Sequence, residues 1–203
     1  MKKILFTILT VAILTTSYAQ VNFGVRGGLN LSDYSNLNSD KKTDLYFGVL
    51  LSVKLGDLYT LQPEFTYSKE GTKLKGNYNR INSNTINADF FSVSVINKFN
   101  IANKVHVAFG PYFDIRMDES VDYNSNNNNY YYDAATNAVD IGFIVGMGFD
   151  VTKSLTLDAR FKYGFIDTFN VERLDSNNQY DTYSPHKNQV IQLGISYKFN
   201  LKK

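Results

Sequence analysis

The groups able to do chemistry in this sequence are few: two histidines, His106 and His186, no cysteine, and scattered serines and carboxylates. The missing cysteines exclude disulfides and thiol catalysis. Acyl transfer or lipid hydrolysis needs a serine in reach of a histidine that an acid or amide orients. His106 is expected inside a strand, facing Lys98 or Ile96 across a hairpin, with Ser92 and Ser94 nearer Ala108 and Gly110. An ammonium beside the imidazole disfavours its charged form and supplies no orienting carboxylate. The position reads as a filled interior site, so no catalytic residue is assigned. Asp118, Glu119 and Asp122 precede the asparagine-rich run 124–129 without EF-hand spacing or a His/Cys cluster, so no metal or cofactor is expected. Tyr130, Tyr131 and Tyr132 follow that run. Adjacent tyrosines supply amphipathic contact area for a protein partner.

The elements that must position these groups are strands. Eight segments alternate with period two, their apolar faces opening at Phe23, Leu45, Tyr59, Phe91, Val105, Ile141, Leu155 and Ile191. The second is the clearest, with Leu45, Phe47, Val49, Leu51, Val53 and Leu55 on one face. No charge falls on this face in any of the eight, and Asn97 is its one strongly polar member. The opposite face carries the strand charges and many glycines. A soluble barrel would turn a polar face outward around an apolar pocket; a charge-rich, glycine-rich face suits a membrane barrel's interior instead. In an eight-stranded barrel side chains fill the lumen, and buried ions must pair. Arg26, Glu64, Arg116, Asp158 and Arg160 are therefore expected to form an interior ionic network.

Connection lengths agree. Short links at Gly56–Leu58, Asn100–Lys104 and Thr152–Ser154 alternate with polar stretches at Asp33–Thr43, Gly71–Asn87, Asp118–Asn137 and Asp167–His186. Tight periplasmic turns and longer outer loops give such a pattern. The expected fold is an all-β, eight-stranded antiparallel up-and-down transmembrane barrel with four long outer loops. Pro63 and Pro111 fall inside strands, where each removes a ladder hydrogen bond, so a bulge or local distortion is expected at both.

The ends of the chain bear on its location. Residues 1–19 read as a signal peptide: Lys2 and Lys3, an apolar stretch from Ile4 to Leu14, then Ser17-Tyr18-Ala19 before a cut between Ala19 and Gln20. The apolar run is shorter than the roughly 20 residues a spanning helix needs. Its removal takes two lysines and no acid, leaving 19 basic against 19 acidic residues in 20–203, one barrel domain. That balance argues against a nucleic-acid partner. Fifteen Phe and fifteen Tyr, with no Trp, suit a lipid-facing surface with interfacial girdles. At the other end, Gln192, Gly194, Tyr197 and Phe199 form a polar-x-Gly-x-x-aromatic-x-aromatic pattern. It resembles the signal that hands outer-membrane barrels to their assembly machinery.

Several segments resemble the outer-membrane β-barrel domain family that includes PorT-like and small "porin family" proteins. They are GVRGGLNLS (24–32), LQPEFTYSKEG (61–71), FGPYF (109–113), ARFKYGF (159–165) and LGISYKF (193–199). The resemblance implies a bacterial outer-membrane location and lipid as the surrounding partner. It also implies, as an alternative to a structural or surface-contact role, an accessory part in protein secretion or transport. A lipid-modifying enzyme would require a serine and an acid beside His106.

Overall fold

A computed structural model describes residues 20–37, 39–74, 85–122, 137–169 and 186–199. The signal-peptide segment 1–19 and Tyr130, Tyr131 and Tyr132 lie outside the described residues. Eight strands follow one another: β1 (Gln20–Tyr34), β2 (Ser39–Lys54), β3 (Tyr59–Leu74), β4 (Thr85–Ala102), β5 (Val105–Asp122), β6 (Val139–Asp150), β7 (Leu155–Phe169) and β8 (His186–Lys198). Each pairs antiparallel with its neighbours, and β1 pairs with β8 to close the ring. Closure leaves no free strand edge. The Phe199 N–H continues the seam beyond β8, donating to the Phe23 carbonyl at 2.7 Å.

The alternation points as expected. Phe47, Leu45, Phe23, Val145, Met147 and Ile195 are exposed on the outer face. Arg26, Glu64, Asp114, Arg160 and Lys162 are buried on the inner one. Aromatic pairs sit at both ends of the outer band. Tyr59 and Phe99 (5.0 Å between ring centroids) lie toward the short turns, and Phe143, Tyr163 and Phe165 toward the other end. Such belts suit the membrane–water boundary. The outward Asn97 is satisfied locally: its Oδ1 accepts from the Tyr59 hydroxyl at 2.7 Å, and its Nδ2 donates to the Phe109 carbonyl at 3.2 Å.

Three details differ from the sequence-based expectation. The strands run further outward than the alternation suggests, so most of 33–43 is paired strand on either side of a turn at 35–37, where Asn36 takes φ 60°. Asparagine tolerates that left-handed conformation. Beyond the lipid both faces of a strand are wet, and polar residues there imitate a loop. Next, each proline brings the local distortion expected of it but not a bulge. Register on the β2 side runs from Leu50↔Glu64 to Val53↔Leu61, and on the β4 side from Ser94↔Tyr112 to Asn97↔Phe109, unshifted across each proline. The ladder skips a rung there instead; a one-residue slip would have turned every later side chain to the wrong face. Finally, the β4–β5 strands pair down to Ala102↔Val105 around a two-residue turn. His106 therefore faces Asn100, while Ser92 and Ser94 face Asp114 and Tyr112.

An arginine at Val145, inside the outer apolar band, should cost up to about 2–4 kcal/mol if it lies near the bilayer midplane. Denaturant unfolding in lipid vesicles checks this. An unchanged midpoint would place that face away from lipid.

Candidate functional site

The lumen holds two stacked polar clusters. In the one nearer the short turns, Arg26 from β1 pairs with Glu64 from β3, and its Nη2 lies 3.1 Å from Asp158 Oδ1 on β7. Arg160 grips Glu64 with two parallel bonds, Nη1 to Oε2 at 2.9 Å and Nη2 to Oε1 at 3.0 Å. Planar guanidinium and carboxylate groups match in this geometry, which adds directionality to charge attraction. Arg160 Nε also sits 2.9 Å from Asp158 Oδ1. Tyr46 OH accepts from Arg26 Nη2 at 2.9 Å, and Gln62 Nε2 donates to Glu64 Oε1 at 2.6 Å. Two arginines thus face two carboxylates, and the cluster reaches across the barrel from β7 to β3.

Four of the five expected network residues meet here; Arg116 does not. It pairs with Glu119 at 2.8 Å, its guanidinium 5.8 Å from the Phe90 ring centroid. The row through Glu64 meets β5 at Tyr112. Arg116 is four residues further out, about 13 Å at the usual strand rise. Parity had put it inside, correctly, but not at its height along the axis.

The second cluster centres on Lys162 of β7, which pairs with Asp114 of β5 and, at 2.6 Å, with Glu70 of β3. Glu70 also accepts from Asn188 and, at 2.8 Å, from Ser68. Lys162 lies 4.6 Å from the Tyr112 ring centroid, and Tyr112 donates to Asp140 at 2.7 Å. Period-two parity places Asp114 and Lys162 on the inner face, and the closed ring joins them. Glu70 and Asn188 went unnoticed because both lay at supposed loop boundaries. Phe90, Ile96, Tyr34 and Tyr112, all buried, fill space between the charges.

The residues of the closing pattern divide by face. Tyr197 and Phe199 are exposed on the outside, rings 5.4 Å apart. Gln192 is buried and donates to Asn30 Oδ1 at 3.1 Å. Gly194 has a packing reason to be glycine: a Cβ there would lie 2.2 Å from Tyr46 OH and 3.0 Å from Asp158 Oδ1. Any side chain would enter the Arg26–Tyr46–Asp158 junction.

His106 lines a vestibule at the short-turn end. Contrary to the sequence-based expectation, a carboxylate does stand near it: Asp150 Oδ2 is 3.7 Å from Nδ1. That carboxylate comes from β6, the other neighbour of β5, which hairpin reasoning over β4 alone had not considered. The serines are nonetheless remote. Ser94 is level with Tyr112, six residues from His106 and about 20 Å along the strand. His186 approaches the Ser35 carbonyl at 3.1 Å near the outer rim.

Lipid-facing apolar residues around a charge-paired lumen define an eight-stranded transmembrane β-barrel. The chain belongs to the family described as outer membrane protein beta-barrel domain, whose model matches residues 16–170. That family is one of the bacterial outer membrane. Among solved structures, Neisserial surface protein A is similar at 15% identity and a TM-score of 0.53, covering 89% of this chain and 99% of that one. Ail of Yersinia pestis in a nanodisc (12%, TM-score 0.48, covering 89% and 100%) and OprG of Pseudomonas aeruginosa (13%, TM-score 0.47, covering 89% and 97%) are also found. At these identities the likeness concerns the fold. No curated protein matches the chain.

Glu64→Gln leaves Arg26 and Arg160 with half their opposing charge. Removing one partner of a buried pair typically costs about 3–5 kcal/mol. Gly194→Ala should cost about 1–3 kcal/mol by overpacking. Urea unfolding in vesicles measures both. Wild-type stability for Glu64→Gln would mean that water, not Glu64, neutralises the arginines.

Proposed function

We propose that this protein is a non-enzymatic outer-membrane barrel with a closed lumen, acting as a structural element and surface-contact scaffold. The observation that carries the reading is the Arg26–Glu64–Arg160–Asp158 cluster, which spans the interior from wall to wall. The second cluster around Lys162 backs it. A solute passing through would have to separate both sets of buried ion pairs. Exposed connections on a rigid scaffold are where binding is usually carried, which makes the stretch 123–138, with Tyr130, Tyr131 and Tyr132, the preferred contact segment. In this reading residues 1–19 are removed before Gln20, and Gln192, Gly194, Tyr197 and Phe199 serve recognition by the assembly machinery.

Planar-bilayer recording of pure protein tests the closed lumen: no stable, large openings are expected. Persistent solute-permeable channels in wild-type protein would overturn it.

Biogenesis and contact are separable by variants. Phe199→Ala and Tyr197→Ala should lower the yield of heat-modifiable barrel in the outer membrane, whose N-terminal residue should be Gln20. Shortening 123–138 should preserve that yield while abolishing recovery of any protein partner from native membranes. Equal yields from the aromatic variants would remove the assembly role. Partner recovery from the shortened barrel would remove the contact role. Recovery of a secretion-apparatus component would favour the accessory role that the PorT-like resemblance implies.

A further inference from the structure

The short-turn end of the lumen opens into a cavity of about 780 Å³ whose lining is unlike the charge-balanced plug above it. Lys54, Lys98, Lys153 and Lys198 contribute to it from β2, β4, a turn and β8, while Lys104 borders it with Nζ 5.9 Å from the outward Phe149 ring, against one lining carboxylate among the described residues, Asp150. That carboxylate is already engaged, accepting from Thr156 and facing His106. Lys54 has a rim partner in Asp57 at 2.8 Å. Lys98 has none: it is 6% exposed and makes neither a hydrogen bond nor an ion pair among the described residues. The plug's carboxylates, Glu64 and Asp158, are held by Arg26 and Arg160.

Ammonium groups converging on one enclosure repel each other, and a buried one without a counter-ion is costly. An anion seated among them relieves both penalties. Lysine binds phosphate as a point charge with three donors. Apart from Val151, the rest of the lining is polar, including Ser52, Thr60, Asn22 and Asn100, and His106 supplies its one ring among the described residues. Hydroxyls on the ligand find partners there. The volume lies within the usual range for small-molecule sites. Gln62 lines the cavity and donates to Glu64, so the plug is its floor and the open side faces the periplasm.

We propose that this vestibule binds a small hydroxylated phosphate ester, with Lys98 as its central cation. Two sources share that chemistry, a soluble periplasmic ester and the glycerophosphate headgroup of an inner-leaflet lipid reaching over the rim.

The test is calorimetric titration of glycerol 3-phosphate into the folded chain in an uncharged detergent at low salt. Saturable binding of one ligand per barrel is expected, weakened at least ten-fold in Lys98→Gln. Heat-modifiability reports whether that variant has folded. Should it not fold, the rim double variant Lys54→Gln/Lys198→Gln carries the same expectation. Non-saturating heats, or an affinity unchanged in the folded variant, would show only a diffuse counter-ion cloud and overturn the site. Nanodiscs distinguish the sources. If phosphatidylglycerol discs suppress glycerol 3-phosphate binding relative to phosphatidylcholine discs, the headgroup is the ligand; equal affinity in both assigns the site to the soluble ester.

Discussion

Hydrocarbon offers no hydrogen-bond partner to a peptide group, and that constraint governs the rest of this molecule. A β-structure meets it only by closing, which here depends on β1 pairing with β8 along eleven residue pairs, from Gly24↔Lys198 to Tyr34↔Asn188. Each strand must then hold its register through its central stretch, and the shifts lie toward strand ends, between Lys41 and Tyr46, Asp89 and Phe90, Asn100 and Ala102, and Tyr163 and Phe169. The two in-strand prolines show how strictly this applies. At Pro63 and Pro111 the sheet loses a rung on one side and keeps its register, because a shift would carry charges into lipid and apolar side chains into the lumen.

Closure transfers the difficulty to the interior. Eight strands enclose a space narrow enough for side chains to fill, and the inward positions here are rich in ionisable groups. Each charge removed from water carries a desolvation penalty, which only good geometry and further hydrogen bonds offset. The lumen answers with bidentate Arg160–Glu64 contacts, with Arg26 shared between Glu64, Asp158 and Tyr46, and with Lys162 set between Glu70 and Asp114. Space for this is made by omission. Gly194 lies under the Arg26–Tyr46–Asp158 junction, where a methyl group would collide with the tyrosine hydroxyl.

Charge is unevenly distributed along the axis, and the functional reading follows that distribution. The plug's lower cluster is balanced, two arginines against two carboxylates. The vestibule below is rich in lysines, and Lys98 makes no direct ion pair among the described residues. A barrel serving only as an inert post would have no use for a cationic mouth on its short-turn side. Along the lumen, the balanced cluster and the lysine-rich mouth are therefore chemically distinct.

Strand number, the sense of the two faces and two of the three short turns were determined by the sequence alone; the β4–β5 turn proved tighter than the sequence suggested. Period-two alternation encodes a residue's face directly, and lipid outside with charge inside makes that code unusually clear. It fades beyond the bilayer, where both faces meet water, which is why 33–43 read as a loop and Glu70 as its neighbour's edge. Parity also says nothing of height or of the opposite wall. Only the closed ring decided that Arg26 meets Glu64 and Asp158, that Arg116 sits some four residues above them beside Glu119, and that Asp150 reaches His106 from the far side of its strand. Those contacts join residues up to 132 positions apart. They depend on inter-strand register and the curvature of the sheet, which no local pattern in the chain carries.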